Sequence, residues 1–153
     1  MLRTAFVSGI AIAATVLPAH AQTRDPLAAA ISARQSHMQL YAHNLGILGG
    51  MARGDIEYDA DMAETAATDL VALATLSQQA YWPEGTSNAD YDDSLALPAV
   101  WEDSDGFEEA KATLLAAATA LAATAGTGPE GLAGMRDVGG ACGACHENFQ
   151  ESR

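Results

Sequence analysis

Helical sequence, broken in three places by glycine and proline, constrains the fold of this chain most. Alanine is abundant and runs of β-branched residues are absent from the sequence, which favours helix over strand. The helical stretches cover residues 25–53, 59–82, 104–125 and 129–150, and the breaks fall at 54–55, 83–85 and 126–129. The pattern therefore predicts an all-α fold, most economically an antiparallel four-helix bundle with one long connection over residues 83–103.

The first 21 residues have the organisation of a secretory signal peptide. Arg3 precedes an apolar run over residues 5–17, and Ala19 and Ala21 form an A-x-A cleavage site. The run is short for a bilayer span, which argues against the alternative of an N-terminal membrane anchor. We therefore expect one mature domain over residues 22–153, located in the periplasm and without stable membrane insertion.

The mature chain is strongly acidic. Without Arg3 it has six basic residues against 20 acidic ones, a net charge of −14. Nucleic acids and anionic membrane surfaces are poor partners for such a surface. A basic protein partner and simple solubility both remain compatible with the charge.

The first helix carries an apolar stripe that contains one charged residue. Its members alternate in spacings of four and three, and they are Leu27, Ile31, Arg34, Met38, Tyr41, Leu45, Leu48 and Ala52. Burying an unpaired guanidinium is costly, so Arg34 either reaches water at the end of the bundle or meets an anion. Met38 lies one turn further along the same face, where plain packing is the ordinary explanation.

The only two cysteines of the chain, Cys142 and Cys145, are followed directly by His146. On a helix these three side chains project from one face. C-x-x-C-H is the attachment signature of c-type haem, because two thiols one turn apart can bond to two vinyl groups and the next residue can offer an imidazole to iron. The motif predicts one covalently attached haem c on the last helix.

Three other uses of the motif explain less of it. A thioredoxin-like redox pair requires a βαβ context, and no strands are predicted. A structural zinc site requires four ligands, but the sequence offers the two cysteines and at most one histidine. A disulfide between Cys142 and Cys145 leaves His146 without a role.

A four-helix bundle with C-x-x-C-H on its last helix resembles the class II c-type cytochromes, the cytochrome c′ and cytochrome c-556 family. The resemblance spans about residues 25–150 and includes RQSHM at 34–38, LPAVW at 97–101 and CGACH at 142–146. It implies that His146 is the proximal axial iron ligand, that Arg34 pairs with a haem propionate, and that Met38 lies on the distal side of the iron.

The chain departs from this family at two positions near the haem. Many relatives carry a basic residue between the cysteines or four positions after the histidine, where this chain has Gly143 and Gln150. Less positive charge near the haem should lower its reduction potential, and a second basic partner for the propionates is not evident.

Two functions follow from the resemblance, and they differ in the sixth coordination position of iron. If Met38 is a ligand, the haem is six-coordinate and low-spin, as in members similar to cytochrome c-556, and suits electron transfer. If the distal side is open, the protein is a high-spin cytochrome c′ that binds NO or CO. The surroundings of RQSHM look closer to the Met-ligated type, so we expect a single-haem electron carrier.

The remaining expectations concern other histidines, catalysis and partners. His37 and His43 are expected at the surface rather than at the iron. No enzymatic activity is expected, because no distal His–Arg pair is recognisable. Redox proteins are the expected partners, and a second apolar stripe on the first helix (Leu40, Ile47 and Met51) is compatible with a homodimer through the first two helices.

Overall fold

The computed structural model describes residues 25–152. Its α-helices are α1 (Pro26–Arg53), α2 (Ala60–Thr75), α3 (Ala99–Glu102), α4 (Ser104–Ala122) and α5 (Met135–Phe149), with 3₁₀ turns at Gln79–Tyr81 and Pro129–Gly134. α2 packs against both α1 and α4, and α4 packs against α5. The predicted four-helix bundle is thus confirmed, with α3 as a single turn inside the long connection. The predicted signal peptide lies outside the described residues.

Aspartates begin three of the four long helices. The side chains of Asp25, Asp59 and Asp103 accept hydrogen bonds from backbone N–H groups of the first turns of α1, α2 and α4, at 2.9, 2.8 and 3.1 Å. Each bond satisfies a donor that has no partner within its helix. α1 ends at Gly54, whose positive φ of 78° suits a residue without a Cβ.

The buried face of α1 coincides in part with the predicted stripe, since Ile31, Arg34, Tyr41 and Leu48 are buried as expected. The face is wider than predicted, and it also includes Ala30, His37, Asn44, Gly49, Gly50 and Met51. The prediction missed His37 and Asn44 because it counted mainly apolar residues, whereas both polar side chains are buried in the bundle. The expected surface position of His37 is therefore wrong, and so is the expected outer position of Met51, whose side chain packs in the core.

α2 ends seven residues earlier than predicted. Leu76 leaves the helix with φ −59° and ψ 139°, although the sequence up to residue 82 is compatible with helix. The residues that follow instead form a connection whose Gln78 is buried and whose Trp82 packs on Phe107 at a centroid distance of 4.9 Å. Tertiary packing thus overrides local helix propensity here.

Arg34 fastens this connection to α1. Its two terminal nitrogens donate to the carbonyl of Tyr81, to the hydroxyl and carbonyl of Thr86, and to the hydroxyl of Ser94. The guanidinium also lies over the ring of Trp82, 4.8 Å from its centroid. A buried Arg34 with four hydrogen bonds holds the segment from Tyr81 to Ser94 in place.

Replacing Arg34 with methionine should destabilise the protein strongly. The substitution removes all four hydrogen bonds that Arg34 donates to oxygens of Tyr81, Thr86 and Ser94, and we expect the free energy of unfolding to fall by roughly 2–4 kcal/mol. Urea unfolding followed by circular dichroism measures the loss. The neighbouring Gln35→Met is a matched control because Gln35 makes one exposed bond, to the carbonyl of Asp93 at 2.7 Å. Equal losses in the two variants would contradict the anchoring role.

Candidate cofactor site

A cavity of about 360 Å³ opens between α1, α4, α5 and the long connection. Its lining is mostly apolar: α1 contributes Leu45 and Ala42, α4 contributes Phe107, Ala110 and Leu114, and the connection contributes Leu95 and Ala96. With Ala74 of α2, the walls belong to all four long helices and to the connection. The cavity therefore has the position and the apolar character typical of a cofactor site between bundle helices.

α5 presents the residues of the C-x-x-C-H motif to this cavity. Cys142, Cys145 and His146 all line it, together with Ala141 and Phe149. These positions follow from helical periodicity, since spacings of three and four residues return to the same face. The structure therefore brings the three predicted motif residues together on one wall.

The two cysteine thiols are half-buried and are not joined in a disulfide. Burial raises the pKa of both thiols, and the proximity of Cys142 raises the pKa of Cys145 further. Both sulfurs are therefore held in the protonated, uncharged form near neutral pH. Among the described residues, no group of three His, Cys, Asp or Glu side chains is placed to hold a metal ion, so the zinc alternative finds no ligand set there.

Met38 lines the same cavity from α1. Its side chain is 38 % exposed, so it is not one of the tightly packed core residues of the helix. The structure thus brings the thioether of Met38 and the imidazole of His146 to one cavity from two different helices.

His37, the residue before Met38, faces another part of the bundle. Its ring contacts Tyr41 edge-on at 4.8 Å and Tyr81 at 5.8 Å, and it is not among the residues that line the cavity. Burial lowers the pKa of His37, which keeps the ring neutral near pH 7. His43 is exposed. Neither histidine is placed as a second iron ligand in this structure.

Trp82 and Arg34 bring an unpartnered N–H and a positive charge to one part of the cavity wall. Trp82 lines the cavity, and its indole Nε1 is buried without a hydrogen-bond acceptor among the described residues. The neighbouring Arg34 is buried, and its hydrogen-bond partners are carbonyl and hydroxyl oxygens rather than carboxylates. A buried N–H and an uncompensated positive charge at one end of an apolar cavity suit a flat apolar ligand that carries carboxylates. The residues present therefore fit a haem.

Sequence reasoning missed several cavity residues. Trp82, Gln78, Leu95 and Lys111 come from the connection and from α4, and no spacing relates them to the motif on α5. Tyr91, Leu95 and Trp101 are aromatic or apolar residues within an acidic segment, which indicates that they pack against the bundle. Which of these side chains line the cavity depends on the path that the segment takes in the folded protein. Helical periodicity predicts which residues of one helix share a face, but it does not predict which residues of different helices meet.

Tyr41 lies in the cavity wall, and burial raises its pKa to about 12. The unfolded chain ionises this tyrosine near pH 10, so between about pH 10 and 12 the folded state binds more protons than the unfolded state. Stability that is fully present below pH 10 is therefore lost as the pH rises through about 12. In Tyr41→Phe, denaturant unfolding should show a smaller loss over this interval. Tyr58→Phe is the control, and identical alkaline losses in the wild type and Tyr41→Phe would contradict the prediction.

The comparison with known proteins gives a consistent result. The family model described as Cytochrome C′ matches residues 29–150. The chain is 42 % identical to cytochrome c-554 from Cereibacter sphaeroides over 88 % of its length and 89 % of that protein. It is 36 % identical to cytochrome c′ from the same organism, over 90 % of its own length and 92 % of that protein.

Solved structures of similar proteins have the same fold. The cytochrome c′ from Rhodobacter sphaeroides superposes with a TM-score of 0.81 at 35 % identity, covering 83 % of this chain and 98 % of that one. A nitric oxide complex of a mutant cytochrome c prime from Alcaligenes xylosoxidans superposes with a TM-score of 0.72 at 27 % identity, covering 84 % of this chain and 98 % of that one.

Proposed function

Because this chain belongs to the cytochrome c′ family and carries a covalently bound haem c, we propose that it is a periplasmic electron carrier with His146 and Met38 as axial iron ligands. Cys142 and Cys145 form the two thioether bonds. Bound haem supplies the one-electron redox chemistry, and the protein supplies ligands, burial and charge.

One observation carries this proposal: Met38 and His146 line the same cavity from different helices. Met38 is part of α1, a helix of 28 residues, and His146 is part of α5. Ligands held by packed helices move little between oxidation states, which suits rapid electron transfer. A thioether opposite an imidazole also favours a higher reduction potential than two imidazoles.

The cavity residues have distinct roles in this proposal. Apolar side chains from α1 and α4, such as Leu45 and Leu114, exclude water from the macrocycle. Arg34 lies at the end of the cavity where its positive charge can pair with a propionate, and Trp82 offers its unpartnered N–H beside it. Cys142 and Cys145 line the cavity from α5, and the haem edge near this turn is the proposed exit for electrons.

Gas binding is the second candidate function, and one observation favours it. A mutant of the similar cytochrome c prime from Alcaligenes xylosoxidans was solved as a nitric oxide complex. If Met38 leaves the iron free, this chain binds NO or CO on the α1 side of the cavity.

The optical spectrum of the reduced holoprotein, recorded before and after addition of CO, tests the proposal. We expect a sharp low-spin α band that CO leaves unchanged, because Met38 occupies the sixth position. A broad high-spin spectrum that shifts with CO would contradict Met38 ligation and support the gas-binding function.

Partners are proposed from the surface. Leu40 on α1 is 51 % exposed and Met62 on α2 is 47 % exposed, which suits a homodimer through the first two helices. Sedimentation velocity at micromolar concentration should show a dimer, and Leu40→Glu should convert it to a monomer.

No helix within residues 25–152 combines the length and apolar character that crossing a bilayer requires.

A further inference from the structure

Two side chains with fixed positive charge line the cofactor cavity within the described residues, Arg34 and Lys111. Lys111 is the only lysine of the chain. It lies on α4, and its side chain is 26 % exposed, so the ammonium is only partly in water. A lone lysine in an acidic protein is thus found in the wall of the haem site.

A chain of aromatic contacts links Lys111 to Arg34 along the cavity wall. The Arg34 guanidinium lies 4.8 Å from the centroid of the Trp82 ring, and Trp82 contacts Phe107 at 4.9 Å. The ammonium of Lys111 lies 5.7 Å from the centroid of the Phe107 ring. Two cations therefore flank one pair of aromatic rings, and the unpartnered N–H of Trp82 lies within this group.

Arg34 alone cannot serve both carboxylates of a haem. Both of its terminal nitrogens already donate to Tyr81, Thr86 and Ser94, which leaves its Nε–H without a hydrogen bond among the described residues. Haem c carries two propionates on one side of the ring, and a buried carboxylate requires charge or hydrogen-bond compensation. A second cation near Arg34 supplies the charge and the hydrogen bonds that the second propionate requires.

Lys111 has the donors that this role requires. It is paired with Glu108 at 2.8 and 3.0 Å, but the Glu108 side chain is 67 % exposed. An exposed ion pair of this kind contributes little to the free energy of folding. The ammonium of Lys111 can therefore bind an anion that is less exposed to water than the Glu108 carboxylate. The ammonium has three N–H donors, enough to bind a second carboxylate in addition to Glu108.

We infer that Lys111 is the second propionate partner, which takes the place of the basic residue absent at Gly143 and Gln150. This inference rests on the proposed haem orientation, in which the propionates face Arg34. It does not depend on whether Met38 binds iron, so the CO experiment and the tests of Lys111 can fail independently.

The uniqueness of Lys111 permits a direct test by amine acetylation of the ferric holoprotein, followed by peptide mass spectrometry. The Arg136→Lys variant supplies an exposed reference lysine on α5 in the same molecule. We expect Lys111 to react at least tenfold more slowly than the lysine placed at position 136. Equal rates at the two positions would overturn the inference.

Glu108→Gln separates the two possible partners of Lys111. If a propionate holds the ammonium, protection from acetylation should persist within about twofold when the Glu108 carboxylate is removed, in keeping with the small contribution of an exposed ion pair. If protection disappears, Glu108 alone held the lysine and the inference is wrong.

The reduction potential gives an independent readout. Lys111→Met removes a positive charge beside the haem, which stabilises the more positive oxidised state and should lower the potential. Arg53→Met makes the same change of net charge about 28 Å along α1 from Arg34, at an exposed side chain paired with Asp55. We expect the larger downward shift in Lys111→Met, because solvent and salt screen the charge of Arg53. Equal shifts would contradict a contact between Lys111 and the haem.

Discussion

A chain in which Cys142 and Cys145 are both replaced by alanine should contain no covalently bound haem. These are the only cysteines available for thioether bonds, and both line the cavity. Haem staining after denaturing electrophoresis should therefore be lost, and the mass of the intact protein should equal that of the polypeptide alone. Each single variant should retain one bond and a weaker haem band.

The same double variant should also be much less stable. The double variant loses the contacts between the haem and the apolar walls of the cavity, and these contacts exist only in the folded state. We expect the midpoint of thermal unfolding to fall by about 10 °C or more. Ala144→Ser is the control, because Ala144 lies between the cysteines but is exposed and does not line the cavity. A haem-stained band that persists in the double variant would contradict thioether attachment at these residues.

The sequence carried enough information for the part of the site that lies within single helices. Cys142, Cys145 and His146 share a face because their spacing matches the helical repeat, and Arg34 and Met38 do so for the same reason. The structure brings all five to one cavity. The bundle itself was also predictable, since the breaks between helices coincide with glycine and proline.

The rest depended on contacts between distant segments. Trp82 reaches the cavity because α2 ends at Thr75 and the connection then packs against α1 and α4, whereas Lys111 reaches it from α4. Arg34 is a second example. Its charge on an apolar stripe predicted a partner, but the partners Thr86 and Ser94 lie 52 and 60 residues away in the sequence. Periodicity contains no information about such pairs.

The surface position predicted for His37 is wrong for a different reason, the polarity of its side chain. Its position belongs to the seven-residue register of buried α1 positions, yet a polar side chain on a helix is ordinarily assigned to the surface. The structure buries it between Tyr41 and Tyr81, where its ring acts as an aromatic packing group. Register is therefore a better guide than polarity for this helix.

Replacing Met38 with alanine should convert the haem from low-spin to high-spin if Met38 is the distal ligand. Alanine has no atom that can bind iron, and it keeps the helix propensity of α1, so the bundle should remain folded. The reduced α band should broaden, and the variant should acquire CO binding that the wild type lacks. Optical titration with CO, together with circular dichroism to monitor the fold, measures both changes.

Two further variants make this result specific to ligation. Met38→Leu nearly conserves side-chain volume but removes the sulfur, so it should give the same high-spin spectrum as Met38→Ala. Met62→Ala removes a methionine that is 47 % exposed on α2 and does not line the cavity, and its spectrum should match the wild type. A low-spin spectrum retained in both Met38 variants would exclude the thioether as the ligand. If the wild type were already high-spin and bound CO, Met38 would be part of an open distal wall, and the protein would belong with the gas-binding members of its family.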